Sequence, residues 1–249
     1  MSKRRRNSFF QCRNFRIEQQ GAAMKVTTDA CALAAWAPLA SCGRILDIGT
    51  GSGVLALFLA QRAPQAQVDA VELNPEAAEQ ARRNFDTSPY AERLSLYTSD
   101  ITAFQPQHRY DGIICNPPFF QDATHNSCHS RAQARHNVSL ELPALLEAIA
   151  RLLAAAGTAF ILLPVPEALR VISLLDSLGL YLRHQLSLIS QPGDAPHRLI
   201  LGISPDKGQV IEETLTLYCK HPVHSTAAGE LFHPFYTRLR CEDPRFESP

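Results

Sequence analysis

The chain has 249 residues, of which 45% are hydrophobic, which suits one large α/β domain with a substantial core and short additions. Lys and Arg together number 24 and Asp and Glu 24, so the formal charge is zero and a uniformly basic nucleic-acid coat is excluded. The cysteines (Cys12, Cys31, Cys42, Cys115, Cys128, Cys219 and Cys241) form no C-x-x-C pair, which speaks against a disulfide framework or structural zinc site and for reduced thiols in the cytoplasm.

Residues 1–20 read as a basic arm dotted with aromatics, and residues 21–249 as one domain. Lys3, Arg4, Arg5 and Arg6, then Arg13, Arg16 and Lys25, are opposed locally only by Glu18. Residues 7–16 are polar and basic where a signal peptide needs an apolar stretch. No apolar run reaches the roughly 18 residues of a membrane span, so no membrane partner is expected.

A short helix is predicted over 28–36, with Thr28 or Asp29 as its cap and Pro38 stopping it. Then strands and helices alternate. Strand 44–48 (RILDI) leads through a glycine-rich turn to a helix over 54–62, and strand 67–73 (QVDAVEL) leads to a helix that starts at Pro75 and runs to about Phe85. Strand 93–99 follows, then strand 110–115 (YDGIIC), which ends at Asn116-Pro117-Pro118. A polar loop spans 119–138. The leucine- and alanine-rich stretch 140–157 carries helical spacing with Gly157 as its cap, before a buried strand over 158–164. A helix over 166–178, an antiparallel pair over 180–190 and 197–204 and a last strand over 213–219 complete the chain. The expected fold is α/β, a seven-stranded, mostly parallel sheet with an antiparallel C-terminal strand and helices on both faces. Ligands of such sheets bind beyond the carboxyl ends of the strands, where strand order reverses, so the chemistry belongs after residues 48, 73, 99 and 115.

Those positions carry reactive types. Gly49, Gly51 and Gly53 join a strand to a helix, letting the backbone approach a ligand. Asp47 precedes them, suited to ordering the loop and to meeting the amino end of an amino-acid ligand. Glu72 can accept from two ribose hydroxyls and Asp100 from an adenine amine. Acidic groups without Lys or Arg in the glycine loop suit a cationic sulfonium better than a pyrophosphate. Asn116-Pro117-Pro118-Phe119 is the sharpest pattern. An exocyclic amine conjugated to a ring or carbonyl is a poor nucleophile. The Asn116 side-chain oxygen and the Pro117 carbonyl can take both its hydrogens and draw the nitrogen toward tetrahedral geometry, the prolines stiffening the loop. Phe119 offers a face on which an extruded base can stack.

With these residues the chain resembles the class I S-adenosylmethionine-dependent methyltransferases of the NPPY/NPPF amino-methylating group. Within that group it is similar to the bacterial valine-tRNA adenine-N6 methyltransferases, which modify the adenosine 3′ of the anticodon. The resemblance rests on AMKVTTD (23–29), LDIGTGSG (46–53), ELN (72–74), SDI (99–101), NPPF (116–119), and Arg131 with Ala134-Arg135-His136. It extends over nearly the whole chain, from the basic start to FHPFY (232–236). It implies a Rossmann-like sheet, S-adenosyl-L-methionine as cofactor and tRNA as partner. Lys25, Thr28 and Asp29 would close over the cofactor's methionine end, while Glu72 with Leu73 and Asp100 with Ile101 would hold its ribose and adenine. Phe119 stands where many relatives have Tyr, so stacking is implied without a hydroxyl contact.

Loop 121–137 brings His125, His129, Arg131, Arg135 and His136 together. The histidines alternate with arginines and form no compact ligand set with carboxylates or thiols, so RNA contact is favoured over a metal and no metal is expected. Lys3, Arg4, Arg5, Arg6, Arg131 and Arg135 are the candidate RNA-binding residues. Three other readings stay open: methylation of a protein glutamine amide (N5), methylation of guanine-N2 in rRNA, and a non-catalytic RNA-binding factor on the same fold. A monomer is expected.

Overall fold

In RILDI every side chain after the arginine is buried, a pattern that demands cover on both faces of the strand. A computed structural model describes residues 8–20, 25–118 and 141–248. The chain forms β1 (Phe9–Gln11), β2 (Arg16–Glu18), α1 (Thr28–Trp36), β3 (Arg44–Ile48), α2 (Val54–Arg62), β4 (Gln67–Glu72), α3 (Pro75–Asp86), β5 (Leu94–Thr98) and β6 (Tyr110–Cys115). It continues with α4 (Leu142–Leu152), β7 (Leu153–Pro164), α5 (Val165–Leu174), β8 (Tyr181–Ile189), β9 (Arg198–Ser204), β10 (Ile211–Thr216), β11 (Tyr218–Lys220), β12 (Val223–His224) and α6 (Thr226–Phe232).

Among the described residues eight strands form the main sheet, in the order β10-β8-β9-β7-β6-β3-β4-β5. Only β9 runs against the others; β10 lies parallel to β8. The expected seven-stranded sheet is therefore corrected to eight, because β10 adds a parallel edge beyond the predicted antiparallel pair. The apolar cores on the two faces are separate. One gathers α1, α2, α6 and the N-terminal residues; the other gathers α4, α5, Ile101 and Phe104. Because β3 pairs with both β4 and β6, the strand order reverses at its carboxyl end, the place where ligands of such sheets bind.

Helix α2 is buried from Val54 to Ala60 on all sides, so the sheet alone cannot cover it. Its outer side is closed by both ends of the described chain. Phe58 stacks on Phe235 at 4.2 Å and meets the edge of Phe15 at 5.9 Å. Residues 8–20, read from sequence as part of an arm, thus hold an antiparallel hairpin, β1–β2, with Cys12, Phe15 and Ile17 in the core. Arg13 ties it to the tail: its backbone N–H donates to Phe235 O and its guanidinium to His233 O and Ser248 Oγ. Residues 1–7 lie outside the described residues.

Helix α1 matches the predicted bounds, but its cap is Thr27, whose hydroxyl accepts from Ala30 N at 3.2 Å. The helix predicted over 140–157 ends instead at Leu152, where β7 begins. Gly157 is not a cap. Tyr110 pairs with Leu153 and Gly112 with Thr158, so residues 154–157 stand opposite Asp111 and β7 bulges there. A Cβ on Gly157 would lie 2.8 Å from the Tyr110 carbonyl oxygen, too close for any side chain. The alanines and leucines of this stretch fit helix and buried strand alike, and sheet pairing decides between them. Similarly, the predicted strand 213–219 divides into β10 and the separate β11–β12 pair. Gly157→Ala should destabilise the protein by about 1–3 kcal/mol through forced backbone shifts. Urea unfolding with an unchanged midpoint would show that β7 yields at this point.

Candidate active site

Beyond β3 the backbone turns through Gly49, Gly51 and Gly53, all with positive φ. Gly49 and Thr50 donate their N–H groups to Val71 O at 2.8 and 3.1 Å, which pins the turn to the end of β4. Gly53 takes φ 86° just before α2. A Cβ there would sit 2.5 Å from the Phe85 ring, so glycine is required both by conformation and by the close seat against α3.

Asp47, 0% exposed, joins this turn to α2. Its Oδ2 accepts from the Thr50 hydroxyl at 2.6 Å and from Ala56 N at 3.2 Å, while Oδ1 is buried without a partner. Burial raises its pKa to about 7; the hydrogen bonds from Thr50 and Ala56 oppose the rise and the charge of Glu72 adds to it.

The next carboxylates line the neighbouring strand ends. Glu72 closes β4, with Oε2 accepting from Gly51 N at 2.8 Å and Oε1 from Asn74 N at 2.9 Å. A carboxylate has about four lone-pair sites, so each oxygen keeps capacity for a further donor. Leu73 beside it is 50% exposed, offering an apolar surface. Ser99 N donates to Glu72 O at 3.0 Å, which draws the end of β5 alongside. Asp100 follows, its Oδ1 accepting from Thr102 N and the Thr102 hydroxyl, with Ile101 buried next to it.

Asn116 leaves β6 one residue beyond Cys115, which pairs with Ile48 of β3 and Ile161 of β7. That places it beside the glycine turn. Its Oδ1 is buried and has no hydrogen-bond partner among the described residues; Pro117 is buried and Pro118 exposed. The Cys115 thiol is pushed well above its ordinary pKa by burial and then by the charge of Asp47, so it stays protonated and is no nucleophile.

The fold thus brings Asp47, Gly49, Gly51, Gly53, Glu72, Leu73, Asp100, Ile101 and Asn116 to the carboxyl ends of β3, β4, β5 and β6. Thr28 and Asp29 start α1 and are engaged elsewhere: the Thr28 and Tyr218 hydroxyls share a hydrogen bond at 3.2 Å, and the Asp29 carboxylate meets His197 Nε2 at 3.2 Å. Lys25 precedes them. Sequence reasoning missed Tyr218 and His197, since the separation of 168 residues between Asp29 and His197 leaves no local signal. It also missed Asn84, a buried amide on the apolar side of α3. Phe119, Arg131 and Arg135, like Lys3, Arg4, Arg5 and Arg6, lie outside the described residues. Among the described residues no group of three or more His, Cys, Asp or Glu is placed to hold a metal ion.

Two buried oxygens without donors, Asp47 Oδ1 and Asn116 Oδ1, therefore sit on adjacent strands at the crevice. Leaving such acceptors unmet costs about 1–3 kcal/mol each, a cost that a ligand with N–H donors removes.

The Asp47 value has a signed consequence. A carboxyl whose folded pKa is raised favours the folded state fully below its unfolded value, and that advantage is lost as pH rises through about 7. Asp47→Asn cannot ionise. Its melting temperature relative to wild type, measured without ligand, should climb as pH is raised from 5 through 7 to 8.5. A difference constant over that range would mean that Asp47 is not protonated in the folded protein.

Comparison with known proteins agrees with this geometry. Residues 26–137 match the methyltransferase small domain family. A tRNA1(Val) (adenine(37)-N6)-methyltransferase of Tolumonas auensis is 41% identical, over 92% of this chain and 97% of its own. Proteins of the same name from Bacteroides thetaiotaomicron and Escherichia coli K12 are 38% and 39% identical, with 94% and 93% of this chain and 99% and 96% of theirs covered. Among solved structures, a predicted O-methyltransferase from Agrobacterium tumefaciens superposes with a TM-score of 0.63 at 19% identity, covering 86% of this chain and 99% of that one. A glycopeptide N-methyltransferase solved with S-adenosyl-L-methionine gives 0.54 at 14% identity, covering 73% and 95%. These two likenesses establish a Rossmann-like methyltransferase fold.

Proposed function

The chain belongs to the tRNA1(Val) (adenine(37)-N6)-methyltransferase family, and from that membership and the crevice geometry we infer that it transfers a methyl group from S-adenosyl-L-methionine to the N6 amine of a tRNA adenosine. The adenosine next to the anticodon of a valine tRNA is the target the relatives' names indicate. Cytoplasmic tRNA is accordingly its partner, and no described helix is long and apolar enough to cross a membrane.

One observation carries the reading: the unpartnered Asn116 Oδ1 and Asp47 Oδ1 on neighbouring strand ends. The cofactor's sulfonium supplies an electrophilic methyl group. Glu72, already braced by Gly51 N and Asn74 N, keeps lone pairs for the two ribose hydroxyls. Asp100 would accept from the adenine amine. Asp47 Oδ1 would take the ammonium of the methionine moiety, and a cation there would favour its ionised form. Asn116 Oδ1 and the Pro117 carbonyl accept the two N6 hydrogens. They draw the nitrogen out of conjugation so that its lone pair points at the methyl carbon. As the N–C bond formed and the methyl–sulfur bond broke, leaving S-adenosylhomocysteine, the nitrogen would become cationic and acidic, and its proton would leave along one of those hydrogen bonds to solvent. No strong base is needed. Phe119, by its place after Pro118, is proposed to stack the extruded base, and Lys3, Arg4, Arg5, Arg6, Arg131 and Arg135 to meet phosphates. Lys25, Thr28 and Asp29 are proposed to border the methionine end.

Asn116→Ala should lower kcat roughly a hundredfold or more with cofactor affinity nearly intact, because its contact matters most in the transition state. Single-turnover transfer to tRNA at saturating cofactor tests this, and near-normal turnover would reduce the Asn-Pro-Pro segment to a turn. Glu72→Ala should weaken S-adenosyl-L-methionine binding by about 1.5–3 kcal/mol, as expected for hydrogen bonds to a charged group. Calorimetry showing wild-type affinity would remove Glu72 from the site. Nucleoside mass spectrometry of tRNA incubated with enzyme and cofactor should show N6-methyladenosine. Methylation of a release-factor glutamine and not of tRNA would replace this reading with the glutamine one.

A further inference from the structure

The glycine turn has the most conformational freedom of any segment at the site, so something must hold it in the binding shape. The hydrogen bonds to Val71 O pin its start. Its far end is held from α3. Asn84 is 1% exposed, and its amide uses both donor hydrogens and its oxygen. Nδ2 donates to Ser52 O at 2.8 Å and to Glu18 O at 2.9 Å, while Oδ1 accepts from Glu18 N at 2.9 Å. The next residue, Phe85, is the ring on which Gly53 is seated. Two consecutive residues of α3 therefore grip two consecutive residues of the turn.

The grip extends past the turn. Glu18 ends β2, and the following residue, Gln19, is 5% exposed and accepts from Val26 N at 2.9 Å through its side-chain oxygen. Val26 lies in segment 25–29, which α1 continues. One buried amide thus connects the glycine turn, the N-terminal hairpin and, through Gln19, the start of α1.

We propose that Asn84 is a positioning residue for the cofactor: it latches the glycine turn to the hairpin, so that turn and segment 25–29 are already arranged when the methionine end arrives. This rests on the methyltransferase reading above and adds to it a residue that touches neither cofactor nor tRNA. The physical gain is pre-organisation, since a loop ordered beforehand loses little entropy on binding. Only a side chain with two donors and one acceptor satisfies these partners. Aspartate fills the same volume but turns acceptors toward the Ser52 and Glu18 carbonyls.

The test is titration of S-adenosylhomocysteine into wild type, Asn84→Ala and Asn84→Asp, with KM for S-adenosylmethionine and for tRNA, and kcat, from the same preparations. Cofactor Kd should rise about tenfold or more in both variants, the equivalent of one lost hydrogen bond or more. KM for S-adenosylmethionine should follow it, whereas KM for tRNA and kcat at saturation should stay within about twofold. Aspartate should be at least as damaging as alanine. Asn84→Ser, which keeps one hydroxyl donor and disturbs the core least, should fall between wild type and alanine. Unchanged cofactor affinity in folded variants, or an alanine variant much weaker than the aspartate one, would mean that Asn84 only fills space. Wild type that binds no cofactor would sink the methyltransferase reading and the latch with it; normal wild-type binding with unaffected variants sinks the latch alone.

Discussion

Helix α2 has no side that tolerates water, and much of the architecture follows from that. VLALFLA packs on the sheet with one side, and its other side must be closed by something outside the alternating strand–helix pattern. The hairpin supplies Phe15 and the tail supplies Phe235, and Arg13 fastens the two together. The same arrangement sets the site. With α2 fully enclosed, its first turn is held at the end of β3, where Ala56 N reaches Asp47 and the glycine turn has only one route from strand to helix.

The site itself is a row of acceptors arranged by sheet register. Asp47, Glu72, Asp100 and Asn116 each stand at or just beyond the carboxyl end of a parallel strand, so neighbouring strands deliver them side by side. Their backbone partners do most of the orienting. Glu72 is steered by Gly51 N and Asn74 N, and Asp100 by its own turn at Thr102. Among the described residues one oxygen each on Asp47 and Asn116 remains unmatched, and these are the acceptors that the proposed ligands' N–H groups would meet.

Strands β3, β4 and β6 were legible in sequence because burial on both faces calls for mostly apolar runs, here each interrupted by one aspartate, and their junction residues were legible because acids and asparagine there have few other reasons to occur together. The boundary between α4 and β7 was not, because Leu and Ala at 152–156 suit either element and only pairing with Tyr110 and Gly112 settles it. The strands β1 and β2 are too short to show alternation, so the hairpin read as an arm. Asn84 could have been noticed: it falls among Ala78, Ala81 and Phe85 on the buried side of an otherwise polar helix, where an amide must have specific partners. The meeting of Asp29 with His197 had no comparable signal.

Strand β9 runs against its neighbours, and so the turn that precedes it, residues 190–197, emerges on the same side of the sheet as Asn116. On that side β3, β4 and β7 lead into α2, α3 and α5, whose packing on the sheet limits how far those connections can change. This one merely joins two adjacent strands, and its register is held from within the sheet by pairs such as Leu188 with Arg198. Apart from His197, which meets Asp29, residues can therefore be exchanged, added or lost in it without moving the glycine turn or Asp47, Glu72 and Asp100. The fold thus carries, on the side of the sheet where Asn116 stands, a turn whose length can change independently of the strand ends that hold Asp47, Glu72 and Asp100.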